Sequence, residues 1–213
     1  MKKYIRKYIN DDFKFNNKQK IGILGLIIAI SGVFGFIYEF FFYFLNSGLK
    51  QFYYRGGNFL PWINIYAYGA ILIILLTYKK RKKPLQVFLI SMICCGVLEY
   101  FAGWLMTEVF QEIRCWSYNE EILNFGNING YVCLRSVLFF GLSGLFLIYG
   151  ILPFTFYLAQ KMDTQKFFII SIIICSIFLI DEIYNLIFTQ LFNLPRASSI
   201  YKNIGFKYIY FNR

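Results

Sequence analysis

The chain has 213 residues, and 58% of them are Ala, Val, Ile, Leu, Met, Phe, Trp, Tyr or Cys. A soluble domain carries about 45–50% on a comparable count, so a water-soluble enzyme is excluded as the first reading. Net charge is +11 without a single histidine, and the positive charges stand in blocks between apolar runs; this points to membrane flanks rather than nucleic acid, and removes the usual ligand or base of zinc sites and His-based triads.

Residues 1–20 form a basic segment with Lys2, Lys3, Arg6, Lys7, Lys14, Lys18 and Lys20. The first apolar run, Ile21–Leu45, is too long for a cleavable leader and lacks a small-x-small site after it. Its Gly25, Ala29, Gly32, Phe36 and Glu39 fall on one face at 4-3-4-3 spacing, a surface on which another helix can approach closely. A link holding Lys50 and Arg55 leads to the shortest run, Trp62–Tyr78, which is followed by the basic stretch Lys79–Lys83. The third run is Leu85–Val109. The link Phe110–Tyr131 holds Arg114 as its one basic residue, and the fourth and fifth runs are Val132–Leu158 and Phe167–Phe192.

A bilayer core takes about 20 apolar residues as a helix, and backbone groups in lipid must be satisfied within the segment. The expected fold class is therefore all-α, a polytopic membrane bundle with about five transmembrane helices. It forms one domain over 21–192, ahead of an aromatic and basic tail at 193–213. Lys and Arg counts put residues 1–20 and 79–83 in the cytoplasm, with the protein multi-pass in the cell membrane. Five spans then place the tail outside, where its aromatic residues suit an interfacial position. Trp62, Tyr66, Tyr68, Trp104 and Trp116 read first as interfacial anchors. Cys94, Cys95 and Cys175 read as small packing residues. Cys115 and Cys133 flank the long link and read more readily as two thiols than as a disulfide.

Ionisable groups inside spans are costly and mark candidate sites. Here they are Glu39, Glu99, Asp181 and Glu182, with Arg135 near the start of the fourth span. At the helical rise, Glu39, Glu99 and Glu182 lie about 27, 21 and 22 Å along their spans, all in the outer half, and Arg135 enters at similar depth. Glu182 continues the polar stripe Ser171, Cys175, Phe178, Asn185 and Thr189 and should face the bundle; Asp181, about 100° away, should not unless a neighbouring helix covers it. Glu39, Glu99, Arg135 and Glu182 thus form the expected cluster. Two readings stay open: a polar cavity taking a small cationic solute, or a buried ion-pair network that fixes helix register.

Four sequence blocks carry a resemblance. Phe34–Glu39 resembles an FxGWxYE opening. Tyr54–Pro61 and Ile65–Gly69, with Arg55, Gly56, Pro61 and Tyr66, resemble NRGFLxGPxxPIYGxG. Leu98–Tyr100 followed by Arg114, Trp116 and Tyr118 resembles LEY…RWWDYS. Asn127–Leu134, with Asn129, Gly130 and Cys133, resembles NxNGRICL. In this order they are similar to the bacterial CmpB-like membrane family labelled ABC-transporter type IV. The likeness runs over residues 31–153, and the fifth span and tail add nothing specific. The chain departs from the pattern at Tyr54 (for Asn), Leu60 (Gly), Asn64 (Pro), Cys115 (Trp), Ser117 (Asp) and Tyr131 (Arg).

The resemblance implies a transporter or permease subunit and names no mechanism. With no G-x-x-x-x-G-K-[ST] in the chain, an ATPase would have to be a partner in trans. The short cytoplasmic loops at 79–84 and 159–166 offer it little to dock on. No cofactor or metal set is expected, and no enzyme: aspartic proteolysis in a membrane needs two embedded Asp residues, and the spans hold only Asp181. The alternative function is a non-catalytic accessory or regulatory membrane protein whose ion pairs are structural. In either case the bilayer is the partner the composition demands.

Overall fold

The computed structural model describes residues 2–109, 116–205 and 209–211, and its regular structure is almost entirely helical. Among the described residues, four helices are long and apolar enough to cross a bilayer: 17–46, 84–109, 134–161 and 164–191. The protein is an all-α membrane protein. The expected second span is shorter than the others: its helix covers Asn64–Thr77 and ends in one 3₁₀ turn, Tyr78–Lys80. The chain divides into two compact units, residues 1–14 with 69–156, and residues 15–68 with 157–213.

In the second unit, helix α2 (Asn17–Asn46) begins at a reciprocal cap, in which Asn16 accepts from the Gln19 amide and Gln19 accepts from the Asn16 amide. Such a cap is worth about 1 kcal/mol. Helix α7 (Thr164–Ile183) starts beside it, its first turn capped by Asp163, and Lys18 donates to Gln165. Along the two helices Gly22 meets Phe167 and Gly25 meets Ser171 and Cys175, so α2 and α7 run parallel. Small residues of α2 are used for close approach as their spacing predicts, against α7 at Gly22 and Gly25 and against the start of the second apolar run at Gly32 and Gly35. Gly32 takes the indole of Trp62 and Gly35 the ring of Tyr66. A Cβ on Gly32 would lie 2.0 Å from Trp62 Nε1. Trp62 is fully buried, stacked on Phe178, and donates to the Ile28 carbonyl. It is a packing residue and not the interfacial anchor expected of it.

Beyond α7, a π-helical turn (Tyr184–Phe188) and the short α8 (Thr189–Leu191) lead to α9 (Ala197–Ile204). The tail folds back on the 51–62 link. Strand β1 (Phe52–Tyr54) pairs in parallel with β2 (Ile209–Phe211), and the Tyr201 hydroxyl donates to the Phe59 carbonyl.

The first unit contains α1 (Lys2–Asn10), residues from 69 onward of α3 (Asn64–Thr77), α4 (Pro84–Trp104) and α5 (Leu134–Phe146). Helices α4 and α5 are antiparallel, with Gly96 on Val137, Gly144 on Ser91 and Gly141 on Phe88. Helix α4 ends in a π-helical turn, Leu105–Val109. Helix α5 passes through another, Leu147–Ile151, into α6 (Leu152–Lys161). Cys95 and Cys175 are buried free thiols, as their positions suggest. Cys133 is a buried free thiol at the start of α5, while Cys115 and Arg114 lie outside the described residues.

Candidate functional site

Three carboxylates on the long apolar helices of the second unit are met by residues 54–64, a link that is non-helical up to Ile63 and enters α3 at Asn64, and by Tyr66 in the first turn of that helix. Glu39, from α2, receives the Arg55 guanidinium at 3.2 Å and the Tyr66 hydroxyl at 3.2 Å. Asp181, from α7, accepts the backbone amides of Phe59 at 2.9 Å and Leu60 at 2.6 Å, one on each oxygen, and the Asn185 amide at 2.8 Å. Glu182, its neighbour, accepts from Asn58 at 2.8 Å and from Asn64. Gly56 and Gly57 sit at φ of +92° and +74°, a left-handed turn that lets the link double back so that its amides reach the helix. The loop is pinned from its other side by Tyr54 and Tyr201, whose hydroxyls both donate to the Phe59 carbonyl. Burial, with Tyr201 and Asp181 close by, pushes the Tyr54 phenol well above its ordinary value and keeps it a donor.

This geometry revises one expectation and extends another. Asp181 is buried, 7% exposed, despite lying off the polar stripe, because the loop covers it. Glu182 faces protein, as the stripe predicts, and the residues that meet it are Asn58 and Asn64. Neither asparagine belongs to the cluster expected from the sequence. The signal for them lay in the Gly-rich link: a segment with many free backbone donors and amide side chains, next to acid-bearing spans, has to satisfy both. Asn64 stands where the family pattern has proline, and a proline there would have no side-chain donor for Glu182. In this unit Arg55 is the one cation in a described ion pair with the three carboxylates; the described partners of Asp181 and Glu182 are all neutral.

The first unit holds Glu99 and Arg135. Glu99 is 7% exposed and accepts from the Tyr118 hydroxyl and, at 2.9 Å, from Ser136. Arg135 pairs with Glu121 at 2.6 Å, both side chains largely buried, and its guanidinium stacks 5.2 Å from the Tyr118 ring centroid. The described ion pair of Arg135 is thus with a loop residue, Glu121, which is not a member of the expected cluster. The loop itself is knit by its asparagines. Asn127 accepts from the Gly130 amide, Asn129 donates to Tyr100, and Trp116 donates to the Tyr131 carbonyl. Asn129 and Gly130 carry the positive φ values, 55° and 73°, that this turn demands. Tyr131, where the family pattern has arginine, donates to Glu108. Cys133 caps α5 jointly with Ser136, whose hydroxyl accepts from the Cys133 amide while reaching Glu99.

Every block of the resemblance therefore ends on a carboxylate of a span or its adjoining loop. A sequence model of the family described as "Putative ABC-transporter type IV" matches residues 26–186, roughly three-quarters of the chain. The chain belongs to that family. The matched stretch runs further than the motif blocks, into the fifth apolar run, and so takes in Asp181 and Glu182 with their described partners. Outside it lie α1 and the returning tail. No curated protein and no solved structure matches the chain. Among the described residues, no group of three or more Cys, Asp or Glu is placed to hold a metal ion.

Proposed function

We propose that this member of the ABC-transporter type IV family is a non-enzymatic subunit of a transport system in the cell membrane. In this reading the 54–64 loop is its extracytoplasmic cover. The observation that carries the reading is the fastening of that loop to Glu39, Asp181 and Glu182. A non-helical segment bound to intramembrane carboxylates closes over polar surface that could otherwise open to a solute. Among the described residues Asp181 and Glu182 are met by neutral donors alone, which suits a small cationic solute, and Glu182, held by two side-chain amides, is its natural acceptor. The family label and the missing nucleotide motif together call for an ATPase in trans.

A five-span topology with residues 1–20 and 79–83 cytoplasmic goes with this reading. Parity supports it. Helices α2 and α7 are parallel, and only two of the long helices lie between them in sequence. Two crossings would bring α7 back antiparallel, so α3 with its 3₁₀ turn is the third. At its helical rises Asn64–Lys80 reaches about 27 Å, against a core of about 30 Å. Reporter fusions after Lys83 and after Asn119 should read opposite sides, and fusions after Gln51 and after Asn193 the same side.

A second reading is favoured by a separate observation: each carboxylate already has protein donors, as a structural network requires. Purification of the tagged full chain separates the two. A co-purifying ATPase, together with solute-dependent stabilisation that Glu182→Gln abolishes while the protein stays folded, supports the transport subunit. A chain that purifies without an ATPase and is stabilised by no cationic solute is the accessory protein instead.

A further inference from the structure

Arg81 differs from the four lysines around it. Lys79, Lys80, Lys82 and Lys83 are exposed, whereas Arg81 is 6% exposed and turned inward. Its guanidinium donates to the Tyr8 carbonyl (3.0 Å), the Asp11 carbonyl (3.0 Å) and the Asp12 carboxylate (2.7 Å). The first two acceptors lie at the C-terminal end of α1, where helix carbonyls lack intrahelical partners and a cation is favourable. Tyr8 completes the joint: it is fully buried among Phe13, Tyr78 and Phe156. The Tyr149 hydroxyl in turn donates to the Arg81 carbonyl. A basic helix distant in sequence is thus strapped to the basic turn between α3 and α4.

The outcome is one surface drawn from two segments, with Arg6 and Lys7 of α1 exposed alongside the four lysines. Lys7 lies over the Phe13 ring, and the acidic neighbours are Asp11 and Asp12, the latter bound to Arg81. None of the four lysines is in an ion pair among the described residues. Their depth is set by what flanks them. Leu75 and Leu76 precede the turn at 75% and 46% exposure and Leu85 follows it at 70%; large exposed leucines on apolar helices meet lipid chains. Ammonium groups two to four residues from the nearest such leucine reach the phosphate level, their methylene stems lying along the apolar edge.

We infer that this two-segment surface is a binding site for anionic phospholipid headgroups, and that Arg81 is the residue that positions α1 within it. Placement beside lipid-facing leucines favours a headgroup over a soluble anion or an acidic protein. Each lysine held at an anionic lipid surface strengthens association about fivefold.

The test is a titration of the detergent-purified full chain with fluorescent phosphatidylglycerol and, separately, phosphatidylcholine. Phosphatidylglycerol should bind at least about tenfold more tightly at low salt, with the preference shrinking in about 0.5 M salt as the screening length falls to a few ångströms. K79Q/K80Q/K82Q/K83Q should bring the two lipids within about threefold of each other. Arg81→Gln should lower phosphatidylglycerol binding about fivefold or more without changing phosphatidylcholine binding, and should speed hydrogen exchange in α1. If that variant does not purify folded, R6Q/K7Q, which alters exposed groups alone, should show the same selective loss. Equal binding of the two lipids by the wild type overturns the proposal, as does full preference in the four-lysine variant. Displacement of the lipid by an equal concentration of inorganic phosphate overturns it too, since the site would then serve a soluble anion.

Discussion

Replacing Asp181 tests whether the 54–64 loop is held from within the membrane. In Asp181→Ala the amides of Phe59 and Leu60 lose their acceptor and Asn185 loses one partner. An unsatisfied buried donor costs about 1–3 kcal/mol, and both loop residues are only half-buried, so the lower end applies to each. The expected destabilisation is about 2–3 kcal/mol, with Asp181→Asn falling between it and wild type because one oxygen remains. An Asp181 facing lipid would give the opposite sign, since removing a carboxylate from the bilayer centre gains about 2.5–3.5 kcal/mol on insertion scales. Two readouts apply: the midpoint of unfolding in a mixed-micelle denaturant titration, and the rate of tryptic cleavage after Arg55. Asp181→Ala should lower the first and raise the second. If Asp181→Leu unfolds later than wild type and is cut no faster, the loop is not fastened at this carboxylate and the account of the site fails.

Arg135→Leu should cost about 3–5 kcal/mol by leaving Glu121 buried without its cation, and the double change with Glu121→Leu should recover much of it; a double variant no better than the single one refutes the pairing. Gly32→Ala should cost about 1–3 kcal/mol by driving the Trp62 ring from its place, read as an earlier thermal transition, while Gly69→Ala, which meets only Cys95 Sγ at 3.6 Å, should be neutral or slightly stabilising. Burial pushes the Tyr4 phenol up to about 12 and Tyr8 further. Their folded values lie above the unfolded one, so their contribution is complete below about pH 10 and is lost as pH rises through the folded values. The phenolate absorbance of wild type minus Tyr4→Phe should therefore rise near pH 12, and a difference transition near pH 10 would refute the burial of that ring.

The four long spans, the inward direction of Glu182 and the small-residue face of α2 were legible because each is a repeat at helical spacing, and helical spacing reports direction. What was not legible shares one cause. Asp181 lies off the stripe, and periodicity says which side of a helix a residue takes, never that a non-helical segment crosses that side. Arg135 finds Glu121 because the link before α5 folds against the helix end, a consequence of the turn at Asn129 and Gly130 that no span-by-span reading contains. Trp62 looked like an interfacial residue at a span boundary; its place is decided by Gly32, thirty residues earlier. Three-residue strands such as β1 and β2 carry too little pattern to be seen at all.

The return of the tail onto the first link has a bearing on how the protein is made. Phe59 leaves the ribosome well before its acceptor: 122 positions separate it from Asp181, and 142 separate it from Tyr201. At about 5–20 residues per second the link waits on the order of ten seconds for the groups that fix it. During that interval Arg55 can already meet Glu39, sixteen positions back, so the early contact holds one end of the link while the rest stays open. Closure is then a late event of biogenesis, and a chain halted after its fourth apolar run leaves the link without Asp181 and Tyr201, a surface open to a quality-control protease.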